Sequence, residues 1–301
     1  MKIKSLPVLL ALLLLAVTAA ADTTYQPFIL ASISENGLEE QTDATLTALE
    51  QAGFTVAGQY SPLQDANVII VTNPNLKALA ALSERGGYGA GQRVSVALRN
   101  DRTEVAFINP LYIQYAYRME GDMQSVHDQL SQALGNMEAF GAEKKMTAKK
   151  LKKYHYMVGM QRFHNPYELG SFDTHAQAVA AVEAGLAVDG DALTQIYRIE
   201  IPGKEQTVIG VGMTATNESK QELDIDAAHQ MDIVDFEGYN KAAYFPYEVL
   251  INGNEVEALH MRFRMAVHFP DLSMTGKHGF TKLMSSPGAT KDVLKDMLLT
   301  D

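Results

Sequence analysis

The chain contains no cysteine among its 301 residues. This absence excludes disulfide bonds, thiolate metal sites, a cysteine nucleophile and a lipid anchor on an N-terminal cysteine. Stability therefore has to come from a packed apolar core, which a chain of this length can bury easily. The length also suggests two domains rather than one.

Basic residues are scarce as well. Lysine and arginine number 25 against 36 acidic residues, which gives a formal net charge of −11. An acidic protein repels the phosphate backbone of nucleic acids, so we expect no nucleic-acid partner.

Long apolar runs are absent except at the N-terminus. Lys2 and Lys4 precede the apolar run 8–17, and small residues that end at Ala21 follow it. A charged start, a short apolar stretch and a small-residue cleavage site make up a secretory signal peptide. The run is shorter than the roughly 20 residues that a transmembrane helix needs. The sequence thus predicts a signal peptide over residues 1–21, export to a bacterial periplasm and no membrane span after cleavage.

Apolar periodicity divides the rest into helical and β-rich stretches. Helical spacing recurs in 39–53, 74–82, 110–119, 122–137, 174–186 and 288–299. Strand-like runs occupy 54–60, 67–73, 93–99, 103–109, 195–201 and 207–213. The turn "RNDRT" between the two middle runs predicts a hairpin.

A lysine-rich segment, "GAEKKMTAKKLKK" (141–153), separates two similar halves. Its polarity predicts a solvated helical linker between domains 22–140 and 154–301. Each half is predicted to begin with a strand, "YQPFILAS" in the first and "YHYMVGMQRF" in the second, and to continue with a helix and two strands. The second half adds a strand-rich block, 222–270. The predicted fold class is α/β (α+β), with two two-layer sandwich domains, mixed or antiparallel sheets, helices on one face and a structural repeat as a hypothesis.

Residues 67–118 contain a strand that ends in Asn73-Pro74, a helix, and a hairpin whose second strand ends in Asn109-Pro110. Together with "LEQAGFTVAG" before them, these features resemble the bacterial family called domain of unknown function 302, over roughly residues 38–118. The resemblance implies a compact two-layer α/β domain that tends to form dimers, here as a homodimer or an internal pseudo-dimer. The chain departs from the family in "RGGYGAGQ", where a Leu-Pro step is expected. Because the family has no established activity, the resemblance implies no chemistry.

Sequence motifs of common enzymes and metal proteins are missing. The Gly-rich "RGGYGAGQ" (85–92) fits neither phosphate-loop pattern and precedes a strand, so we interpret it as a flexible connector. Neither G-x-S-x-G nor H-E-x-x-H occurs. The acidic stretch 224–238 lacks the spacing of a calcium loop, and its alternation predicts a strand. We predict no cofactor.

The stretch "KKYHYMVGMQRFHNP" (152–166) combines histidines, methionines and aromatic residues. In an extended chain His155 and Met157 fall on one face, where they could ligate a soft metal such as Cu(I). The alternative is that the stretch is a strand that enters the second domain, with methionine as a core filler. We favour the strand and keep copper binding as an alternative.

The stretch "ALHMRFRMAVHFP" (258–270) alternates most regularly. As a strand it has an apolar face and an opposite face with His260, Arg262, Arg264 and His268, close enough together to hold one carboxylate or phosphate. Tyr244, from the adjoining "KAAYFPYEVL", could wall such a pocket or pack as core. The competing interpretation pairs the basic residues with acidic neighbours across the sheet, such as Glu248, Asp232 or Asp235.

These observations predict an exported binding or accessory protein that is not catalytic and binds a small molecule or a protein. One alternative is an enzyme for a small anionic substrate, in which His260 or His268 acts as acid or base and Arg262 and Arg264 clamp the anion. The binding-protein and enzyme hypotheses differ in whether the histidines line a concave site, as an enzyme would require.

Overall fold

The computed structural model describes residues 23–144, 146–188 and 192–299. The predicted signal peptide, residues 1–21, lies outside these ranges. Within them, no helix combines the length and the apolar character that crossing a bilayer requires.

The strands, in chain order, are β1 Thr24–Tyr25, β2 Phe28–Ser34, β3 Thr55–Leu63, β4 Ala66–Thr72, β5 Gln92–Arg99, β6 Arg102–Ile108, β7 Glu138–Phe140, β8 Met146–Thr147, β9 Tyr167–Ser171, β10 Leu193–Glu200, β11 Gln206–Met213, β12 Tyr247–Asn252 and β13 Glu255–Ala258. The α-helices are α1 Leu38–Gln51, α2 Pro74–Ala81, α3 Pro110–Ala116, α4 Gln124–Leu134, α5 Ala148–Leu151, α6 His175–Val188, α7 Lys220–Ile225, α8 Ala227–Val234, α9 Met261–His268 and α10 Ser286–Asp296. Short 3₁₀ turns cover Gly86–Gly89, Ala242–Tyr244, Phe280–Leu283 and Met297–Leu299.

These elements confirm the predicted α/β (α+β) class and the antiparallel sheets. Of the two large sheets, one has the order β3-β4-β5-β6-β2-β7 and the other has the order β10-β11-β12-β13-β9, and β1 and β8 form a small two-stranded sheet. Neighbouring strands in both sheets are antiparallel. The six helices and six strands predicted from periodicity all form, within a few residues at each end.

The two halves share one topology. The order β3-β4-β5-β6-β2 of the first half corresponds, strand by strand, to β10-β11-β12-β13-β9 of the second. The bulges also correspond: the β3–β4 register shifts between Val56 and Gly58, and the β10–β11 register shifts between Gln195 and Tyr197. A helix follows the first strand in each half, α1 and α6, and another follows the last strand, α3 and α9.

Helix starts explain the Asn-Pro pairs of the first half. The Asn73 side chain accepts a hydrogen bond from the Leu76 amide, and Asn109 accepts one from the Leu111 amide. In both cases proline follows at the first helical position, where its missing N–H costs nothing. Each pair therefore ends a strand and starts α2 or α3.

Helices cover one face of each sheet, and the remaining faces lie against each other. Strand β3 contacts β10, where Gly58 leaves no room for a side chain: a Cβ there would lie 2.2 Å from the Ile196 carbonyl oxygen. Tyr60 donates a hydrogen bond to the Met213 carbonyl across the same interface (3.3 Å). Because β4 and β5 are covered on both sides, they are almost wholly buried.

Four sequence predictions are wrong. Residues 154–163 form a loop instead of a strand, and residues 224–238 contain the end of α7 and all of α8 instead of a strand. The Gly-rich connector 85–92 is a buried 3₁₀ turn, since a Cβ on Gly86 would lie 1.7 Å from the Ala80 carbonyl oxygen. The segment 141–153 is not simply solvated, because Met146 in β8 pairs with β1 and Leu151 is buried. The division into domains 22–140 and 154–301 stays a prediction.

Candidate functional site

The basic stretch 258–270 is a helix, and this changes which of its residues lie together. Helix α9 begins at Met261, and His260 is its N-cap, with Nδ1 accepting from the Arg262 amide (3.2 Å). Residues four apart share a helix face, so His260, Arg264 and His268 lie on one side and Arg262 points elsewhere. The prediction of one basic row along a strand is therefore wrong.

Arg264 and His268 lie in the buried interior between the sheets. They form what we call the buried polar cluster, with Arg93 from β5 and Glu248 from β12. Arg93 Nη1 donates to Glu248 Oε2 (2.9 Å), and Arg93 Nη2 lies 3.5 Å from His268 Nε2. Tyr197 donates to the other carboxylate oxygen of Glu248 (2.8 Å). Residues from both halves thus share one charged group.

The Arg264 guanidinium group packs against two tyrosine rings. Its guanidinium carbon lies 4.2 Å from the ring centre of Tyr244 and 4.8 Å from that of Tyr247. Its Nη2 atom donates to the carbonyls of Tyr244 (2.6 Å) and Pro246 (2.5 Å) and lies 3.8 Å from Glu248 Oε2. Burial by itself lowers the pKa of Arg264, but Tyr244 and Glu248 raise it by more, so the side chain keeps its charge.

His268 is neutral. Burial lowers its pKa well below the usual value, and the charges of Arg93 and Arg264 lower it further. The Arg264 carbonyl, 2.7 Å from Nδ1, can only accept, so Nδ1 carries the proton and Nε2 faces Arg93 as an acceptor. The cluster consequently holds two cations and one carboxylate.

Several donors of the buried polar cluster have no hydrogen-bond partner within the described part of the chain. They are Nε and Nη1 of Arg264 and Nε of Arg93. The Tyr117 hydroxyl faces Arg93 and the Tyr244 hydroxyl faces Arg264, but neither forms a hydrogen bond of normal geometry. Unpaired buried donors typically cost about 1–3 kcal/mol each, more when charged.

The buried polar cluster occupies matching positions of the two halves. The rows Gly58–Ile70–Arg93 and Tyr197–Gly210–Glu248 correspond across their sheets, so Arg93 and Glu248 are equivalent residues that pair with each other. Gly210 lets the Tyr197 ring cross to Glu248, because a Cβ there would lie 2.1 Å from that ring. Arg93 and Tyr197 were missed from the sequence, although a charge inside an otherwise apolar strand was a usable signal.

The other predicted residues divide between core and surface. Tyr244 packs as core, and Glu248, one of the suggested acidic neighbours, does approach Arg264. Asp235 instead pairs with Arg99 and Lys241. His260 stacks on Tyr167 (ring centres 4.2 Å apart), and burial, with Arg262 and Lys291 nearby, lowers its pKa to about 4.

Arg262 lies at an apolar cleft on the outer side of α9, which we call the methionine cleft. Its volume is about 40 Å³, and its lining consists of Tyr156, Met160, Met261, Arg262, Met265, Met274, Phe280, Leu283, Met284 and Pro287. The Arg262 guanidinium has no hydrogen-bond or ion-pair partner among residues 23–144, 146–188 and 192–299. Five of the 14 methionines therefore surround one cleft that has a cation beside it.

The loop 154–165 supplies part of this cleft. Tyr156 packs edge-on against Phe280 (4.7 Å between ring centres) and donates to the Leu272 carbonyl (2.9 Å). Next to it, Met157 and Val158 are 43% and 95% exposed, and Met284 is 61% exposed. Exposed apolar side chains at the edge of an apolar cleft are typical of a binding surface.

The proposed copper ligands, His155 and Met157, lie on the loop 154–165 and not on one face of a strand. His155 Nδ1 lies 3.1 Å from the Lys153 carbonyl, and Met157 is on the exposed loop instead of a strand face shared with His155. Within the ranges that the structure describes, no group of three His, Asp or Glu side chains is arranged to hold a metal ion.

Two further open grooves have a volume of about 770 Å³ each. The first is lined by Lys77, His175 and Lys204 together with an ion pair of Arg198 and Glu183 (2.8 Å). The second lies around Phe140, Tyr239 and Asp271. None of the predicted site residues lines either groove.

Comparison with known proteins finds no matching family model, no matching curated protein and no matching solved structure. The resemblance of residues 38–118 to the domain of unknown function 302 family therefore stays a prediction.

Proposed function

We propose that this chain is an exported, non-catalytic binding protein that takes a small aliphatic carboxylate in the methionine cleft. The observation that carries this proposal is the position of Arg262, a cation without a protein partner at the edge of an apolar cleft. A ligand with an apolar chain and one anionic end matches both parts of that lining.

The cleft is small, so it accepts a ligand chain by rearranging its walls. Methionine has an unbranched, flexible side chain that repacks around ligands of different shape. Each methylene buried there contributes about 0.8 kcal/mol, and a charge-assisted hydrogen bond from Arg262 contributes roughly 1.5–3 kcal/mol. For a chain of six to eight carbons these contributions sum to roughly 6–9 kcal/mol, and association costs at least about 4 kcal/mol, so we expect binding in the millimolar range.

The acid–base alternative lacks a geometric basis. His268 is fully buried, and His260 is occupied as the N-cap of α9. Neither histidine lines the methionine cleft or either of the two open grooves. A general acid or base must reach the proton that it transfers.

Titration calorimetry with octanoate and with octanol tests the proposal. The wild type should bind octanoate more tightly than octanol, and Arg262→Gln should weaken octanoate about tenfold while leaving octanol unchanged, because about 1.4 kcal/mol is one factor of ten. Arg102→Gln, which removes the same charge from an exposed residue of the β5–β6 hairpin, is the matched control.

A second variant probes the apolar lining. Met284→Glu places a carboxylate at the exposed edge of the cleft and should abolish octanoate binding with little change in stability. Equal octanoate binding by the wild type and both cleft variants, or no binding at all, would contradict the proposed function.

A further inference from the structure

We propose that the buried polar cluster holds one small monovalent anion, the size of chloride, beside the unpaired N–H groups of Arg264 and Arg93. The site involves Arg264 and His268 of α9, whereas Arg262 at the methionine cleft points in another direction, and the proposal does not depend on the proposed function. Four observations lead to it.

The first observation is charge. Arg93 and Arg264 are both fully or almost fully buried, and Glu248 is the carboxylate that lies within 4 Å of both. The nearby pair of Arg85 and Glu257 (2.8 Å) is balanced in itself. One positive charge is therefore left without a counter-charge in the interior, where an unpaired ion costs several kcal/mol.

The second observation is that the cluster's own acids and bases do not supply the missing negative charge. Burial raises the pKa of Tyr117 to about 12 and raises that of Tyr244, so both phenols stay protonated. His268 is already neutral through its lowered pKa and cannot reduce the charge further. An anion from solution can provide the counter-charge.

The third observation is the set of free donors. Nε and Nη1 of Arg264 and Nε of Arg93 form no hydrogen bond of normal geometry in the described parts of the chain, although both side chains are buried. All of them are N–H groups of cations, which bind anions more strongly than they bind water.

The fourth observation is that the hydroxyls of Tyr117 and Tyr244 face these arginines without a hydrogen bond of normal geometry. They can add neutral O–H donors to the same anion. Buried aromatic rings pack against both tyrosines, Phe263 against Tyr117 and Phe269 against Tyr244, and such an apolar surround disfavours large or strongly hydrated anions. Halides fit this combination of few donors, one net charge and a closed interior.

Crystals of the full mature protein grown in sodium bromide give the direct test. We expect an anomalous bromide peak within hydrogen-bonding distance of Arg264 Nε or Nη1. Water density alone at these atoms, or bromide sites restricted to the surface, would overturn the proposal.

Thermal unfolding in bromide against gluconate at equal ionic strength gives the test in solution. Once the site begins to saturate, the Tm of the wild type should rise by roughly 2–5 °C for each tenfold increase in bromide. Arg102→Gln, which removes an exposed positive charge from the β5–β6 hairpin, should keep this dependence, and Arg264→Met should lose it.

Glu248→Gln keeps the size of the side chain and an acceptor for Arg93, so this variant provides the test in solution if Arg264→Met does not fold. By removing the carboxylate it should lower the bromide concentration that gives half of the Tm increase at least several-fold. A Tm that is equal in both salts for the wild type, or a weaker bromide response in Glu248→Gln, would show that the cluster binds no anion.

Discussion

Removing the two partners of the central ion pair should have unequal effects. Glu248→Met leaves Arg93 and Arg264 buried without a carboxylate and takes the acceptor from the Tyr197 hydroxyl. Arg93→Met leaves Glu248 with the Tyr197 hydrogen bond at 2.8 Å and with Arg264 at 3.8 Å. The first variant has two uncompensated cations, and the second retains one cation for one anion.

The expected losses of stability follow from this count of buried charges. Breaking a buried pair by removing one partner costs about 3–5 kcal/mol. We expect Arg93→Met at the lower end of that range and Glu248→Met at or above the upper end, a difference of about 2 kcal/mol. The measurement is urea unfolding in chloride-free buffer, followed by both circular dichroism and tyrosine fluorescence to test for a two-state transition. Equal losses, or a loss below about 1 kcal/mol for Glu248→Met, would refute the assignment of Glu248 as the shared counter-charge.

Three further outcomes are expected. Because the pKa of His268 is lowered, the unfolded chain binds a proton below pH 6.5 that the folded chain does not, so the free energy of unfolding should decrease as the pH is lowered, by up to about 1.4 kcal/mol per pH unit. His268→Gln should flatten this slope in urea titrations between pH 7 and 5, and an unchanged slope would argue against a buried neutral histidine. Gly210→Ala should cost about 1–3 kcal/mol in the same assay, because its methyl group meets the Tyr197 ring, whereas Gly37→Ala, in open space, should cost little. N-terminal sequencing of the exported protein should give Asp22 first, and an intact Met1 would exclude the predicted cleavage.

The sequence predicted most of the fold because most elements have one buried face and one exposed face. The moderately amphipathic α1 and α4 carry this pattern and were identified. The hairpin of β5 and β6 is buried on both faces and was identified instead from its two β-rich runs and the turn "RNDRT" between them. Helix α9 was missed because it is buried on nearly all sides, so its apolar residues show no helical period, and the chance alternation from Leu259 to Phe269 indicated a strand.

The sequence predicted some residues of the candidate site but not their partners. Arg264 and His268 were selected as members of a basic row on one face of a predicted strand, and Tyr244 as a residue that could wall a pocket beside it. These three residues do meet, but Arg264 and His268 share a helix face and not a strand face. Their main partners, Arg93 and Glu248, are 155 residues apart in the chain. Only the packing of the two sheets brings them together, and no local pattern encodes that packing. The methionine cleft likewise joins the loop 154–165 to residues near 280.

The most direct test of the proposed binding function is a titration of octanoate into protein labelled with ¹³C on the methionine methyl groups. We predict chemical-shift changes at Met160, Met261, Met265, Met274 and Met284, which line the cleft, and much smaller changes in Arg262→Gln. Changes restricted to other methionines, or none at millimolar octanoate, would contradict the account.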